Sequence, residues 1–292
     1  MRVMVTGAAG QLGGAIVRRF GNDHDVLPLT RRELDVTRES DVARIVRSER
    51  PDVLINCTAY NDVDGAEDHA REAFDGNAFA VLALARAARD TSAAFVHYGT
   101  DFVFDGLADA PYTEDDTARP ASVYGMSKLL GEWFAADAPA HYVLRVESLF
   151  GGPRAKSSVD RIIDGIAAGQ PVRVFSDRTV TPSFVNDVAD ATAKLFEVRP
   201  VSGLYHCVNT GTTTWLGLAE EVARLLDRSA DLQPVTVATV PMKARRPQYC
   251  ALANRKLTEA GIPMPSWQDA LARYVAGRRE AASRPSAARH QG

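Results

Sequence analysis

A tyrosine stands four residues before a lysine in the stretch 122–132, which reads SVYGMSKLLGE. Apolar residues recur there at helical spacing, and side chains four apart on a helix share a face, so Tyr124 and Lys128 should be neighbours. A phenol has a pKa near ~10 and is a poor acid or base at neutral pH. We expect the Lys128 ammonium to lower the pKa of Tyr124 toward the range of general acid–base catalysis. The alternative is an ordinary amphipathic helix.

Thr100 follows the apolar run Ala94–Tyr98, at the point where a strand should end. Open α/β sheets bind ligands beyond the carboxyl ends of their strands. A hydroxyl at such a place can donate to a carbonyl oxygen and stabilise the negative charge that develops on it. Taken alone, Thr100 would be a strand-end hydroxyl that bonds to local backbone. Its position between a glycine turn and the Tyr124/Lys128 pair favours a catalytic role.

The glycine turn is the segment Gly7–Gly13, GAAGQLG, which directly follows the apolar run Arg2–Thr6. Its spacing is G-x-x-G-x-x-G. In a strand-turn-helix unit, Gly7 would let the chain reverse, Gly10 would let the backbone approach a pyrophosphate, and Gly13 would let the helix pack on the sheet. The N–H groups at the start of the helix favour phosphate. The turn therefore predicts a dinucleotide site; a turn that is merely rich in glycine is the alternative.

The second apolar run ends at Leu29 and is followed by Arg31 and Arg32. Sites that select NAD usually place an acidic residue there, on the ribose 2′-hydroxyl. Arginines suit a 2′-phosphate instead, so NADP(H) is favoured. Glu33 and Asp35 follow closely and could meet a ribose or adenine, so NAD(H) remains possible. Solvated loop charges are the alternative for the two arginines.

Short apolar runs alternate with helical patterns through the first half of the chain. Strands are predicted at Arg2–Val5, Asp25–Leu29, Val53–Asn56, Ala94–Tyr98 and His141–Arg145, and helices at Leu12–Phe20, Ser40–Ser48 and Asn77–Arg89. This alternation indicates an α/β fold, a Rossmann-type doubly wound parallel sheet with helices on both faces.

We expect residues 1–150 to form the NAD(P)-binding Rossmann domain and residues 151–276 a smaller C-terminal substrate-binding lobe. Part of this lobe should return to the first domain, because Gly203–Val208 reads as another buried strand. Trp215–Leu226 reads as a helix that Thr212, Thr213 or Thr214 would cap. Residues 277–292 lack apolar periodicity and are expected to be a disordered tail.

Composition excludes several classes of protein. The chain has 292 residues, 46% hydrophobic side chains and a formal net charge of -3, which argues against disorder and against a nucleic-acid-binding protein. No apolar run reaches the ~18 residues of a membrane span, and the first residues read as a strand rather than a signal peptide. Three cysteines and six histidines show no disulfide framework or metal-ligand spacing. We therefore expect a cytoplasmic protein that binds no nucleic acid, membrane or metal.

Together these motifs resemble the extended short-chain dehydrogenase/reductases, and more closely the dTDP-4-dehydrorhamnose reductase family, over nearly the whole chain. The likeness rests on the glycine turn, on 33–37 (ELDVT), on 55–60 (INCTAY) with Val63-Asp64 and Glu67, on 100–106 (TDFVFDG), on 124–128 (YGMSK), and on Arg246-Pro247 ahead of Lys256-Leu257. The segment at Thr100 is the most specific, because sugar-nucleotide dehydratases usually carry an acidic pair after the threonine, whereas Asp101 is followed here by Phe102.

The resemblance implies a role for each matching residue. The catalytic residues would be Thr100, Tyr124 and Lys128. The cofactor would be bound by Gly7, Gly10, Gln11, Leu12, Gly13, Arg31, Asp35, Val36, Ala59, Tyr60 and Asn77, although Asn77 could equally be a packing or capping residue. The substrate would be bound by Asp101, Val103, Phe104, Ser148 and Arg246, with Arg245 and the stretch 178–183 as further candidates.

The segment after the fifth strand departs from the family. Its usual Thr-Ser-Trp, whose indole packs near the sugar, is replaced by Val146-Glu147-Ser148. This substitution leaves the sugar open, and Glu147 could be a carboxylate at the edge of the core with a local partner.

The resemblance implies hydride transfer from NAD(P)H to C4 of a 4-keto-6-deoxy sugar nucleotide, with Tyr124 as proton donor, in a monomer or homodimer. Two alternatives stay open. One is a sugar-nucleotide epimerase of the same superfamily that retains its NAD. The other is a non-catalytic NADP-binding protein like the regulatory subunit of methionine adenosyltransferase, which the intact Tyr124/Lys128 pair does not exclude.

Overall fold

The computed structural model of the chain describes residues 1–152 and 155–283. Its strands are β1 (Arg2–Thr6), β2 (Asp25–Leu29), β3 (Val53–Asn56), β4 (Ala94–Thr100), β5 (His141–Val146), β6 (Leu149–Phe150), β7 (Val172–Phe175), β8 (Thr179–Val180), β9 (Ser183–Phe184), β10 (Gly203–His206), β11 (Thr213–Thr214) and β12 (Leu232–Val235).

The helices alternate with these strands. They are α1 (Gln11–Phe20), α2 (Glu39–Glu49), α3 (Ala70–Phe74), α4 (Ala80–Thr91), α5 (Val123–Ala135), α6 (Ser158–Ala167), α7 (Val185–Val198), α8 (Trp215–Leu226), α9 (Arg255–Glu259) and α10 (Trp267–Ser283). A π-helical segment, Asp75–Phe79, joins α3 to α4. Among the described residues, none of these helices combines the length and the apolar character that crossing a membrane requires.

Six strands form one parallel sheet in the order β10-β5-β4-β3-β1-β2. Alternate side chains of its strands enter two different cores: Val3 and Val5 pack with α1 and α7, while Met4 packs with α2 and α4. Both faces of the sheet are therefore covered by helices, which confirms the predicted Rossmann-type fold. Since β1 lies between β2 and β3, the connections leave it in opposite directions, and ligands are expected at the carboxyl ends of β1 and β3.

The second half of the chain adds small paired strands beside this sheet. β7 pairs with β12, β6 with β9, and β8 with β11. The helix α8 packs against α6, α10 and β7, and it is capped by Thr214, whose Oγ1 accepts from Gly217 N at 3.0 Å. The edge strand β10 joins the main sheet beside β5, with Gly203 opposite Tyr142.

Two sequence-based expectations need correction. The helical region expected at Asn77–Arg89 begins earlier, at Ala70, and contains the π-helical segment. Residues 277–283, expected in a disordered tail, are helical because they continue α10. Arg278 fixes this last part through ion pairs with Asp160 at 3.3 Å and Asp164 at 2.7 Å. Residues 284–292 of the expected tail lie outside the described residues.

Candidate active site

The glycine turn connects β1 to α1 with a backbone that other residues could not adopt easily. Gly7 has φ +71°, and a Cβ at this position would lie 2.8 Å from the Cys57 carbonyl carbon. Gly10 is the N-cap of α1 and offers no side chain to accept the first N–H groups of the helix. Those groups are therefore available to an external acceptor, and a phosphate group fits this position.

Two cavities meet beside this turn. The outer cavity has a volume of about 680 Å³ and the inner cavity about 480 Å³. Both are lined by Gly10 and by residues that follow β3, namely Cys57, Thr58, Ala59 and Asn61. Together they form a continuous groove across the carboxyl ends of the central strands, where this fold binds dinucleotides. The position of this groove is therefore that of a dinucleotide site.

The outer cavity carries the predicted nucleoside contacts. Its lining includes Gly7, Arg31, Asp35, Val36, Ala59 and Tyr60. Hydrogen bonds from Thr37 lower the pKa of Asp35, and the charge of Arg31 acts in the same direction. Glu33 instead accepts from Thr30 N at 2.8 Å, so it is engaged within its own turn. This end of the groove therefore offers an ionised carboxylate and an exposed guanidinium, which suit a ribose and a 2′-phosphate respectively.

The inner cavity contains Thr100, Tyr124 and Lys128 together with Gln11 and Leu12. Its geometry depends on the contact of α5 with the turn after β4. This contact is close, because a Cβ on Gly125 would lie 2.3 Å from the Phe102 carbonyl oxygen.

Local hydrogen bonds hold the side chains of Thr100 and Lys128 and the start of the helix that carries Tyr124. The Ser122 hydroxyl caps α5 by accepting from Gly125 N at 3.1 Å, one residue beyond Tyr124. The Lys128 Nζ donates to the Tyr98 carbonyl at 2.6 Å. The Thr100 hydroxyl donates to Asp101 Oδ1 at 3.1 Å. The side chains of Thr100 and Lys128 are thus held by bonds to Asp101 and to strand β4, and the cap fixes the start of the helix that carries Tyr124.

The charge states differ from the expected ones. Burial is the main cause that raises the pKa of Tyr124; the Asp101 charge adds to it, and a hydrogen bond with Thr100 opposes it. The expectation that Lys128 lowers the pKa of this phenol is therefore wrong for the free protein. The Lys128 Nζ is bound to a carbonyl, and burial lowers its own pKa to about 8. Tyr124 is accordingly a protonated phenol at neutral pH, which is the form that gives up a proton.

Comparison with known proteins identifies the family. The family model described as RmlD substrate binding domain matches residues 1–279. The chain is 33% identical over 288 residues to a dTDP-4-dehydrorhamnose reductase of Burkholderia thailandensis, covering 93% of this chain and 97% of the relative. The chain belongs to the dTDP-4-dehydrorhamnose reductase family.

Two further members of the family show what varies within it. A probable dTDP-4,6-dihydroxy-2-methyloxan-3-one 4-ketoreductase of Streptomyces antibioticus is 38% identical over 276 residues, covering 93% of each chain. The crystal structure of dTDP-4-dehydrorhamnose reductase from Bacillus anthracis in complex with NADP superposes with a TM-score of 0.90, at 30% identity over 94% of this chain and 99% of that one. Relatives of similar likeness thus carry the names of reductases of different dTDP-linked ketones.

The family's substrate positions are only partly on the cavity wall here. Asp101 and Ser148 line the inner cavity, whereas Val103 and Phe104 do not. A 3-10 turn, Asp101–Val103, directs Phe102 toward the cavity. The structure contradicts substrate contacts by the side chains of Val103 and Phe104, since both are at most 1% exposed and pack in an apolar cluster rather than on the cavity wall.

Three more of the expected contact residues either hold the backbone around the groove or line a different cavity. Asn77 is buried; its Oδ1 accepts from Tyr60 N at 2.8 Å and its Nδ2 donates to Tyr60 O at 3.0 Å, so it positions the loop after β3. Gly13 lies under the turn, where a Cβ would be 2.2 Å from the Gly7 carbonyl oxygen. Arg246 pairs with Asp64 at 3.0 Å and lines a different cavity of about 300 Å³.

Other cavity residues were not expected. Trp215, Ser157 and Ser158 line the inner cavity, although Trp215 reads in the sequence as the first residue of an ordinary helix. The periodicity of the sequence does not indicate that the first residues of α6 and α8 approach the sheet. Arg178, from the candidate stretch 178–183, also lines the cavity.

A buried acidic cluster completes the inner cavity. One oxygen each of Asp101 and Glu147 and the Cys250 Sγ lie within 4.8 Å of one another. Arg178 donates to the Cys250 Sγ at 3.4 Å. Burial raises the pKa of both carboxyls, and the Arg178 charge opposes this rise. We assign no metal here, because a guanidinium beside the set opposes a second cation.

Proposed function

We propose that this chain reduces the 4-keto group of a dTDP-linked 6-deoxy sugar, with NADPH preferred over NADH. The observation that carries the proposal is that Thr100, Tyr124 and Lys128 line one cavity that opens into the nucleotide groove. The names of the relatives supply the class of substrate. The complex of the Bacillus anthracis relative with NADP supports the choice of cofactor, as does Arg31 on the outer cavity.

The residues of the chain have distinct parts in this reaction. A bound nicotinamide supplies the hydride for the carbonyl carbon, and the protein supplies orientation and proton transfer. The phenol of Tyr124 gives its proton to the carbonyl oxygen as negative charge develops there. The Thr100 hydroxyl donates to the same oxygen and stabilises that charge. The Lys128 ammonium lines the same cavity and adds a positive charge to its wall.

Cofactor binding follows from the groove. The N–H groups at the start of α1 would bind the pyrophosphate, helped by Gly10 and Gln11. Arg31 would bind the 2′-phosphate and Asp35 a ribose hydroxyl at the outer end. Asn77 acts indirectly, because it fixes both backbone groups of Tyr60.

The test is an NADPH oxidation assay over a panel of dTDP-linked 4-keto-6-deoxy sugars, with the product stereochemistry determined by NMR. We expect stoichiometric loss of NADPH with at least one ketone. Turnover of a sugar without net consumption of NADPH would favour the epimerase alternative. Binding of NADP without any turnover, together with co-purification of a methionine adenosyltransferase, would favour the regulatory-subunit alternative.

A further inference from the structure

The inner cavity contains an acidic pair that the mechanism above does not use. Asp101 is 5% exposed and Glu147 is 2% exposed, and one oxygen of each lies within 4.8 Å of the other. Such a separation is spanned by a direct hydrogen bond or by one bridging water. The register of the sheet places the pair, because Thr100 at the end of β4 lies opposite Val146 at the end of β5.

The charges around the pair favour one bound proton. Two buried carboxylates at this distance do not ionise together without a large cost. Arg178 compensates one negative charge, and its guanidinium contacts Cys250 beside the pair. In agreement with this, burial and the Asp101 charge raise the pKa of Glu147 to about 8, and burial raises the pKa of Asp101 to about 6.

A chain of hydroxyl and carboxyl groups connects the pair to Tyr124. The Thr100 hydroxyl donates to Asp101 Oδ1 at 3.1 Å, and it lines the same cavity as the phenol of Tyr124, whose pKa it lowers. Glu147 is fixed at the far end, where it accepts from the Ser148 hydroxyl and from Thr181 N.

We propose that Asp101 and Glu147 together hold one proton and return it through Thr100 to Tyr124 after each reduction. This inference rests on the proposed function. In one turnover the ketone carbon gains a hydride from the reduced cofactor, which is oxidised, and the ketone oxygen takes the Tyr124 proton. The phenolate then takes the Thr100 proton, and Thr100 takes the proton that Asp101 and Glu147 share. A proton from solvent then replaces the one that this pair has lost. Glu147 acts only through Asp101 and Thr100, so it positions a proton and is not a catalytic residue.

The kinetic test uses Glu147→Gln, an isosteric amide that keeps an acceptor for Thr181 N but holds no exchangeable acid proton. Its first turnover should match the wild type, because Tyr124 is already protonated. Later turnovers should be roughly 100-fold slower, the lower end of the usual contribution of general acid–base catalysis, so that NADPH oxidation shows a burst of one equivalent. The control is Asp187→Asn. This variant alters a buried carboxylate that does not line the inner cavity and that pairs with Arg273 at a distance of 2.8 Å. The control variant should show no burst.

Equal slowing of the first and later turnovers in Glu147→Gln would show a structural role and overturn the proposal, as would an unchanged steady state. A second test needs no substrate: infrared spectroscopy of the free protein near neutral pH. We expect the carbonyl stretch of one buried, protonated carboxyl, which disappears in Glu147→Gln and in Asp101→Asn but persists in Asp187→Asn. Its absence from the wild type would also overturn the proposal. If no ketone is reduced by the wild type, the proposed function fails, and the infrared result still decides whether the pair shares a proton.

Discussion

Replacement of Gly125 by alanine tests whether the contact of α5 with the turn after β4 builds the active site. The added Cβ would lie 2.3 Å from the Phe102 carbonyl oxygen and 3.0 Å from the Pro120 Cβ. The first obstacle is a backbone atom, which cannot rotate away, so α5 must shift. Overpacking of this kind costs about 1–3 kcal/mol, whereas alanine gains about 1 kcal/mol over glycine inside a helix. We expect the clash to outweigh this gain, with a net loss of about 1 kcal/mol and at most about 2 kcal/mol.

The effect on activity should be larger than the effect on stability. Tyr124 and Lys128 lie on the helix that must move, and a misplacement of about 1 Å can cost roughly 100-fold in rate. Urea unfolding measures the loss of stability, and kcat for NADPH oxidation measures the loss of activity. The matched control is Gly277→Ala in α10, where an added Cβ has nothing within 4 Å. This variant should gain up to about 1 kcal/mol and keep its kcat. Unchanged stability and kcat in Gly125→Ala would show that this contact does not build the active site.

Three further outcomes follow from the site and its surroundings. Tyr124→Phe should lose at least roughly 100-fold in kcat with NADPH binding by fluorescence titration unchanged; near-full turnover would reject Tyr124 as the proton donor. Arg31→Ala should raise the Kd of NADPH by roughly 10-fold or more, since a hydrogen bond to a charged group contributes about 1.5–3 kcal/mol, and should leave the Kd of NADH unchanged. Arg32→Ala is the control, and an equal loss of affinity for both cofactors would contradict a 2′-phosphate contact. Burial and then the Arg145 charge lower the pKa of His206 from 6.5 to about 3. Between these two pH values the unfolded chain binds a proton that the folded state does not, so the free energy of unfolding should fall as the pH decreases through this range. Urea unfolding of His206→Gln should show a smaller loss on acidification, and an identical loss would exclude this histidine as a cause.

The parts of the fold that depend on periodicity could be predicted well. The helix predicted at Leu12–Phe20 is α1, Gln11–Phe20, and the strand predicted at Val53–Asn56 is β3. Buried runs and amphipathic helices leave a direct record in the sequence, because one core-facing side of each element must be apolar. The division of the chain at residue 150 and the state of association stay predictions.

Spacing also predicted which reactive side chains line the cavity, since Thr100, Tyr124 and Lys128 do so. The candidate substrate contacts Val103 and Phe104 do not line the cavity, because the 3-10 turn after β4 changes the direction of each side chain over three residues, too short a distance for any periodic pattern. Residue spacing also did not predict that Asp101 lies close to Glu147. That contact was open to inference from adjacent strands β4 and β5, which end in register.

The conformation of Tyr60 shows a different limit. Its backbone is fixed by Asn77, 17 residues later, from within the π-helical segment between α3 and α4. A π-helical segment gives no distinct sequence pattern, so the polar side chain reads equally well as a ligand contact or as a packing residue. The structure places Asn77 behind the groove rather than on its wall.

The most direct measurement follows the hydrogen atom that is transferred. The protein is mixed with NADPH that carries deuterium at the transferable position of its nicotinamide and with the dTDP-linked ketone that it turns over, and the isolated sugar is examined by NMR. The proposed reaction predicts one deuterium at C4 and a new hydroxyl at the same carbon, formed by the wild type and far more slowly by Tyr124→Phe. A product without deuterium at C4, or deuterium at another carbon, would contradict it.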